Sequence, residues 1–324
     1  MKIHASFHGV NMAQADGSYR AVHTPARTEP DSPPRPKQLR SIAVGPYRRT
    51  GSRIGSRPRP DVTVVTLSRN SQRYIANCVE RTVEDLSSAG LTYEFYVIDN
   101  GSTDATPGIL ERLRARDPCL RTVRLHANRG TTSTRNLALR RACGEFICVL
   151  DSDAYPQPGC IERLIECLRD HPEAGLAAPK VVYPDGRYQK STDRFPTVLR
   201  KLRRAVFLHG MEAREHVPVA GPVPYAISAF WLLRRTAIER VGLMDEGIYY
   251  SPEDVDYCLR LWKAGLAVWY EPSAVAVHDP RECSRHVLPN RMTLSHLRGL
   301  AHLFRKHHYF FRPPPVRTDA MREP

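Results

Sequence analysis

Between Asp61 and Asp170 the chain alternates four times between a short apolar or β-branched run and a stretch of helical periodicity. The runs are Val62–Leu67, Tyr93–Ile98, Leu120–Leu125 and Phe146–Leu150. The helical stretches cover about Ile75–Gly90, Ala105–Arg116, Thr132–Ala142 and Pro158–Asp170. Strand–helix alternation of this kind predicts a mostly parallel sheet with crossover helices on both faces, an α/β fold of the Rossmann-like type. Such sheets bind ligands beyond the carboxyl ends of their strands. Here those ends carry Ser68-Arg69, Asp99 and Asp151/Asp153, a recurrence that packing does not require.

The segment Cys148-Val149-Leu150-Asp151-Ser152-Asp153 leaves a buried strand on two carboxylates one residue apart. If the chain stays extended, both side chains point the same way, because side chains alternate along a strand. Two hard oxygen ligands there suit Mg²⁺ or Mn²⁺ carrying a phosphate; the same segment also reads as a loop capping the next helix. Asp99-Asn100-Gly101-Ser102-Thr103-Asp104 has the form of a tight turn and helix cap, although the turn itself does not call for Asp99. Arg135, early in a helix, opposes the helix dipole and can serve a base or a phosphate, or lie on a solvated face. Ser251-Pro252-Glu253-Asp254 is a standard helix start that would hold Asp254 rigidly, and a rigid carboxylate beside a bound phosphate suits a general base. Tyr249 and Tyr250 before it are not explained by the cap. His278 ends a short strand and reads either as a surface or core residue or as a third ligand beside Asp153.

The net charge of +14 at first suggests a nucleic-acid partner. Residues 1–60 hold 11 Lys/Arg against 3 Asp/Glu, residues 281–324 hold 9 against 3, and residues 61–280 carry 28 of each sign. The folded part is therefore neutral, with no groove-reading helix or stacking aromatic stripe, and no nucleic-acid partner is expected. The first 60 residues, with 8 prolines and no sustained periodicity, read as a disordered basic Pro/Arg-rich arm. The eight cysteines show no Cys-x-x-Cys spacing and read as small buried hydrophobes, which favours a reducing cytoplasm. Neither a leader peptide nor a run of about 20 apolar residues is visible, so a cytoplasmic protein that does not span the membrane is expected.

In this order and spacing, five motifs resemble the family 2 glycosyltransferases with the GT-A fold. They are Val64-Val65-Thr66 with Ser68-Arg69-Asn70; Asp99 through Asp104; Asn128-x-Gly130 with Arg135-Asn136; Gly144-Glu145-Phe146-Ile147 running into Asp151-Ser152-Asp153; and Glu253-Asp254-x-Asp256-Tyr257, with His278 behind. The resemblance covers about residues 61–311. It implies a GT-A domain over 61–280, with 61–155 binding the nucleotide and 156–280 the acceptor, the latter interrupted by a variable Pro/Arg/His-rich insertion at 184–224. It further implies a nucleoside-diphosphate sugar donor contacted by Thr66, Ser68, Arg69, Asp99, Arg135 and Asp151, and Mn²⁺ or Mg²⁺ on Asp153 and His278. Asp254 would be the base for an inverting transfer, with Trp231, Tyr250 and Glu253 towards the acceptor. Two departures bear on the acceptor: Gly242-Leu243-Met244-Asp245-Glu246 stands where members commonly have Gly-Gly-Phe-Asp-Glu, and Phe230-Trp231 is bulkier than usual.

Residues 281–324 form a basic amphipathic tail. Leu294, Leu297, Leu300 and Phe304 share one helical face, with Arg298, Arg305 and Lys306 elsewhere. This suits either an interfacial anchor on an anionic membrane or a helix packed on the domain. The tail resembles that of rhamnosyltransferase-like members, which points to a lipid-linked or cell-envelope glycan acceptor and a peripheral position at the inner face of the membrane. A peptide or small natural product as acceptor, and a nucleotide-binding protein without transferase activity, are the alternatives.

Overall fold

The computed structural model describes residues 59–198, 217–280 and 291–312. The expected arm, residues 199–216 of the insertion and most of the tail's flanks lie outside these. Strands β1 (Val62–Ser68), β2 (Tyr93–Asp99), β3 (Leu120–Arg124) and β4 (Phe146–Asp151) alternate with helices α1 (Ile75–Ser88), α2 (Thr106–Arg116) and α3 (Thr131–Leu139). Then follow β5 (Ala154–Pro156), α4 (Cys160–Asp170), β6 (Ala174–Val182), β7 (Thr192–Asp193), β8 (Gly221–Pro222), β9 (Tyr225–Ala226) and β10 (Phe230–Arg234). Helices α5 (Arg235–Val241) and α6 (Glu253–Lys263), strand β11 (Ala267–His278) and helix α7 (Arg291–His307) complete the chain.

The main sheet runs β3-β2-β1-β4-β10-β6-β11-β5, with β8 on β11. Strands β3, β2, β1 and β4 are mutually parallel, as are β6 and β11; β10 and β5 run against their neighbours. Period-2 alternation divides the core between the two faces. Val62, Val64, Phe95, Cys148 and Leu232 pack with α1, α2 and α4, while Val65, Tyr96, Ile147, Val149 and Leu233 pack with α3, α6 and α7. Helices therefore cover both faces, as the alternation predicts. The seven cysteines of the described residues are unpaired thiols, most of them buried.

Three features differ from the sequence expectation. The chain turns at Ser152-Asp153 instead of staying extended, so the two carboxylates do not converge by strand alternation. Strand β6, paired on both sides near the sheet centre, has the sequence Ala-Gly-Leu-Ala-Ala-Pro-Lys-Val-Val, in which Ala, Gly, Pro and Lys, six of the nine residues, have weak strand preference. Its Pro179 is tolerated because it faces β11 where the register slips between Glu271 and Val275. The strand that ends at His278, expected to be short, is β11, which runs 12 residues through that slip and pairs first with β8 and then with β5.

Candidate functional site

The carboxyl ends of β2, β1 and β4 lie level, with Ser68 opposite Asp99 and Leu67 opposite Asp151. Neighbouring strands stand about 4.8 Å apart, so Asp99, two strands from Asp151, lies roughly 10 Å away along this edge. Asp99 is buried; its Oδ1 accepts from Ser102 N at 3.0 Å. Its Oδ2 receives no hydrogen bond and faces Arg124 Nε at 3.7 Å. Thr66 and Ser68 are fully buried, and the Ser68 hydroxyl also has no hydrogen-bond partner. Arg69 is exposed at the same edge.

Backbone pairing sets the second group of residues. After the turn at Ser152-Asp153, β5 pairs with the end of β11, placing Ala154 opposite His278, and Asp279 N donates to Asp153 O at 2.9 Å. Asp151, Asp153 and His278 thereby offer ligand atoms all within 4.8 Å of one another. Gln189 Oε1 can only accept, so His278 Nδ1 donates to it across 3.0 Å, leaving Nε2 towards Asp153 Oδ1 at 3.6 Å. An acceptor on the far ring nitrogen is the usual support for a metal-binding histidine. Burial disfavours charge on His278, but Asp153, Asp151 and Asp279 outweigh it and raise its pKa above the ordinary 6.5. Burial likewise raises the pKa of Asp151 against the pull of Arg135, with Asp153 adding to the rise. Two oxygen donors, one nitrogen donor and crowded negative charge fit a divalent cation of the Mn²⁺ or Mg²⁺ type.

Behind this pair lies Arg135, expected near the base or phosphates and in fact 1% exposed. Its Nη2 donates to Asp151 Oδ1 at 2.5 Å, and its Nη1 to Ser228 Oγ at 2.8 Å and to Glu253 Oε1 at 3.4 Å. Ser228 Oγ donates to Glu253 Oε1 at 3.0 Å. The guanidinium thus bridges the β4 carboxylate to the start of α6 from within the protein and has no surface free for a ligand. Burial, reinforced by adjacent Asp254 and opposed by Arg135, pushes the Glu253 carboxyl up to about 8. Its surroundings therefore favour the neutral form of Glu253. Asp254, beside it and only partly buried, accepts from Val255 N at 2.8 Å. Tyr250 is 46% exposed, and its hydroxyl pKa is raised by burial and then by Asp151, Glu253 and Asp153, which places it among the same acids.

Trp231 is a correction. It is fully buried in β10 opposite Val149 and stacks obliquely near Tyr257 at 6.0 Å, so it presents no surface to an acceptor. The signal was available: Phe230-Trp231-Leu232-Leu233 is apolar on both alternating faces, as a strand covered on both sides must be.

The Asn128-x-Gly130 motif knits the site together. Asn128 Oδ1 accepts from Asn100 Nδ2 at 2.8 Å and from Gly130 N at 2.9 Å. Gly130 has φ +84°, and a Cβ there would lie 2.4 Å from Tyr249 O. This close approach lets Thr131 N donate to Tyr249 O at 2.7 Å and Thr132 Oγ1 to Ile248 O at 2.7 Å, clamping the loop that leads to Glu253. Gln189 and Ser228 were not foreseen. Neither lies in a recognisable motif, and both reach the site through tertiary contacts alone.

A model of the family described as Glycosyl transferase family 2 matches residues 63–242. The chain belongs to this family. It is 29% identical over 238 residues to the N-acetylglucosaminyl-diphospho-decaprenol L-rhamnosyltransferase of Mycobacterium tuberculosis, covering 67% of this chain and 76% of that one. It is 32% identical over 239 residues to the pre-mycofactocin glycosyltransferase of the same organism, covering 69% of this chain but only 45% of that protein. Among solved structures, the Pyrobaculum calidifontis mannosyltransferase PcManGT, in complex with GDP-Man and Mn²⁺, aligns with a TM-score of 0.56 at 22% identity, over 80% of this chain and 67% of that one. GalNAc-T7 with UDP, GalNAc and Mn²⁺ aligns with a TM-score of 0.57 at 14% identity, over 77% and 48%. These two likenesses establish a GT-A type fold for the family member described here.

Proposed function

We propose that this glycosyltransferase moves a sugar, with inversion, from a nucleoside-diphosphate sugar to a hydroxyl of a lipid-linked glycan. The observation that carries the reading is the convergence of Asp151, Asp153 and His278 at the sheet edge, joined through buried Arg135 to the Glu253–Asp254 pair. Asp99, whose Oδ2 receives no hydrogen bond, and exposed Arg69 would meet the nucleoside end of the donor. Asp153 and His278, with Asp151 beside them, would hold a divalent cation, which supplies counter-charge for the departing diphosphate. Asp254 takes the proton of the acceptor hydroxyl, while Glu253, kept neutral by burial, stays out of the proton transfer and anchors the start of α6. Tyr250 lines the acceptor side.

The acceptor class rests on α7 as well as on the rhamnosyltransferase relative. Leu300, Leu303 and Phe304 of α7 are buried against the domain, whereas Leu294 and Leu297 are 50% and 57% exposed, with Arg298 and Arg305 exposed beside them. No helix among the described residues is long and apolar enough to cross a membrane. A packed face and an outward apolar–basic face together suit a peripheral position on an anionic leaflet, at the inner face of the membrane. The likeness to a pre-mycofactocin glycosyltransferase supports a second reading, a peptide-derived or other small acceptor.

Transfer to a polyprenyl-diphosphate sugar, assayed across a panel of nucleoside-diphosphate sugars with and without Mn²⁺, tests the reaction. Asp254→Asn is expected to keep nucleotide affinity and to lower turnover about 10²–10⁴-fold, the usual contribution of a general base. Turnover at the wild-type rate in that variant would remove Asp254 from its role.

A further inference from the structure

Helix α7 does more than cover the domain: its polar contacts concentrate on the loop and helix that carry the acid pair. Lys306 Nζ donates to Asp245 Oδ2 at 2.6 Å and to Asp256 Oδ1 at 2.7 Å, and His302 Nε2 meets Asp245 Oδ2 at 2.9 Å. His307 is buried between Lys263 and Asp256. A lysine ammonium can only donate, so His307 Nδ1 accepts from Lys263 Nζ at 2.9 Å and its Nε2 donates to Asp256 Oδ1 at 2.8 Å. Asp256, 1% exposed, sits in the first turn of α6 two residues after Asp254, and Arg260 Nε also donates to it at 2.9 Å.

The same helix touches the turn that enters α6. Gly299 is so close that a Cβ there would lie 2.1 Å from Ser251 O and 3.0 Å from Pro252 Cδ. One turn earlier, His296 Nδ1 lies 3.2 Å from Ser251 Oγ. The 245–252 loop is thus held on two sides, by α3 through Thr131, Thr132 and Asn136, and by α7 through Gly299 and its charged neighbours. Contacts at Asp245, Ser251, Asp256 and Lys263 bracket the Glu253–Asp254 pair before and after it in sequence.

We propose that α7 is a positioning strut for the acceptor side, with Gly299, Lys306 and His307 as positioning residues that set the direction of Asp254 through Ser251–Pro252 and Asp256. This rests on the proposed transfer reaction. A displacement of about 1 Å at a reacting group can cost on the order of 10²-fold in rate, so a small shift of this turn is enough to matter.

The test uses the full chain and two readouts. In Gly299→Ala, amide hydrogen exchange at residues 249–256 should accelerate while that of Val62–Ser68 stays unchanged. The transfer kcat should fall at least about tenfold, with the affinity for nucleoside diphosphate plus Mn²⁺ within about twofold of wild type. His307→Leu should behave in the same way, whereas His307→Gln, which can accept from Lys263 and donate to Asp256, should restore turnover. If Gly299→Ala does not fold, the His307 pair decides. Unchanged exchange at 249–256, or wild-type turnover in His307→Leu, overturns the strut, as does a loss of nucleotide affinity equal to the loss of turnover. A wild-type chain that binds no nucleotide and transfers nothing sinks the reaction instead, and the exchange data then judge the strut alone.

Discussion

Replacing Arg135 with methionine keeps the length of the side chain and removes a guanidinium that lies 1% exposed between Asp151 and Glu253. Breaking a buried ion pair by deleting one partner costs about 3–5 kcal/mol, because the other charge is left uncompensated. Asp151 keeps 34% of its side chain exposed, so water recovers part of its solvation and the lower end of that range, about 3 kcal/mol, is expected. For a domain of this size such a loss lowers Tm by roughly 6–12 °C. The pH dependence has a definite sign. Glu253 holds its proton to about 8 in the folded chain against an ordinary value of 4.5, so stability declines as pH rises through that window. Without Arg135, which lowers this pKa, the decline continues to higher pH, and the gap between variant and wild type widens above pH 8 by up to about 1.4 kcal/mol per unit. Thermal unfolding at pH 6, 7 and 9 measures both effects. A loss under about 1 kcal/mol at pH 7, the range of ordinary surface substitutions, would refute the bridging role, as would a gap that narrows towards pH 9.

Two further outcomes follow from the same geometry. Saturating Mn²⁺ at about 100 times its Kd should stabilise the native chain by about 2.7 kcal/mol, and Asp153→Asn and His278→Ala should each abolish most of that thermal shift; a shift retained in both variants would remove them as ligands. Burial alone would raise Asp256 and Asp245, but His307, Lys306, His302 and Arg260 outweigh it and hold both below the ordinary 3.8. Their stabilisation is present above the unfolded value and lost as pH falls below it. Asp256→Asn should therefore flatten the fall in Tm as pH drops below the ordinary 3.8, and an equally steep fall in that variant would count against these ion pairs.

Much of the first half of the fold was readable because its information is local. The β-branched runs at Val62–Leu67 and Tyr93–Ile98 state their own conformation, and the polar residues that end them mark one edge of the sheet whatever the details of packing. Strand β6 was not readable, because Ala, Gly and Pro occupy a buried strand where neighbours leave room only for small side chains, and small side chains carry little strand preference. The candidate ligands could be named one by one, yet they converge through a turn at Ser152-Asp153 and the β5–β11 pairing, not through the extended spacing the sequence suggests. The tail helix was expected to be amphipathic. Which of its faces packs, and that Leu294 and Leu297 remain outside while Leu300 and Phe304 go in, depends on surfaces contributed by α6 and the 245–252 loop.

Periodicity and strand-end chemistry, properties of neighbours in sequence, were enough to specify a mostly parallel α/β sheet with an acidic edge. Tertiary structure alone decided that Arg135 turns inward, that Gln189 backs His278 and that α7 grips the entrance to α6. These contacts join groups from 16 to more than 100 residues apart, and burial, charge compensation and close backbone approach act on distance in space, which sequence order does not encode.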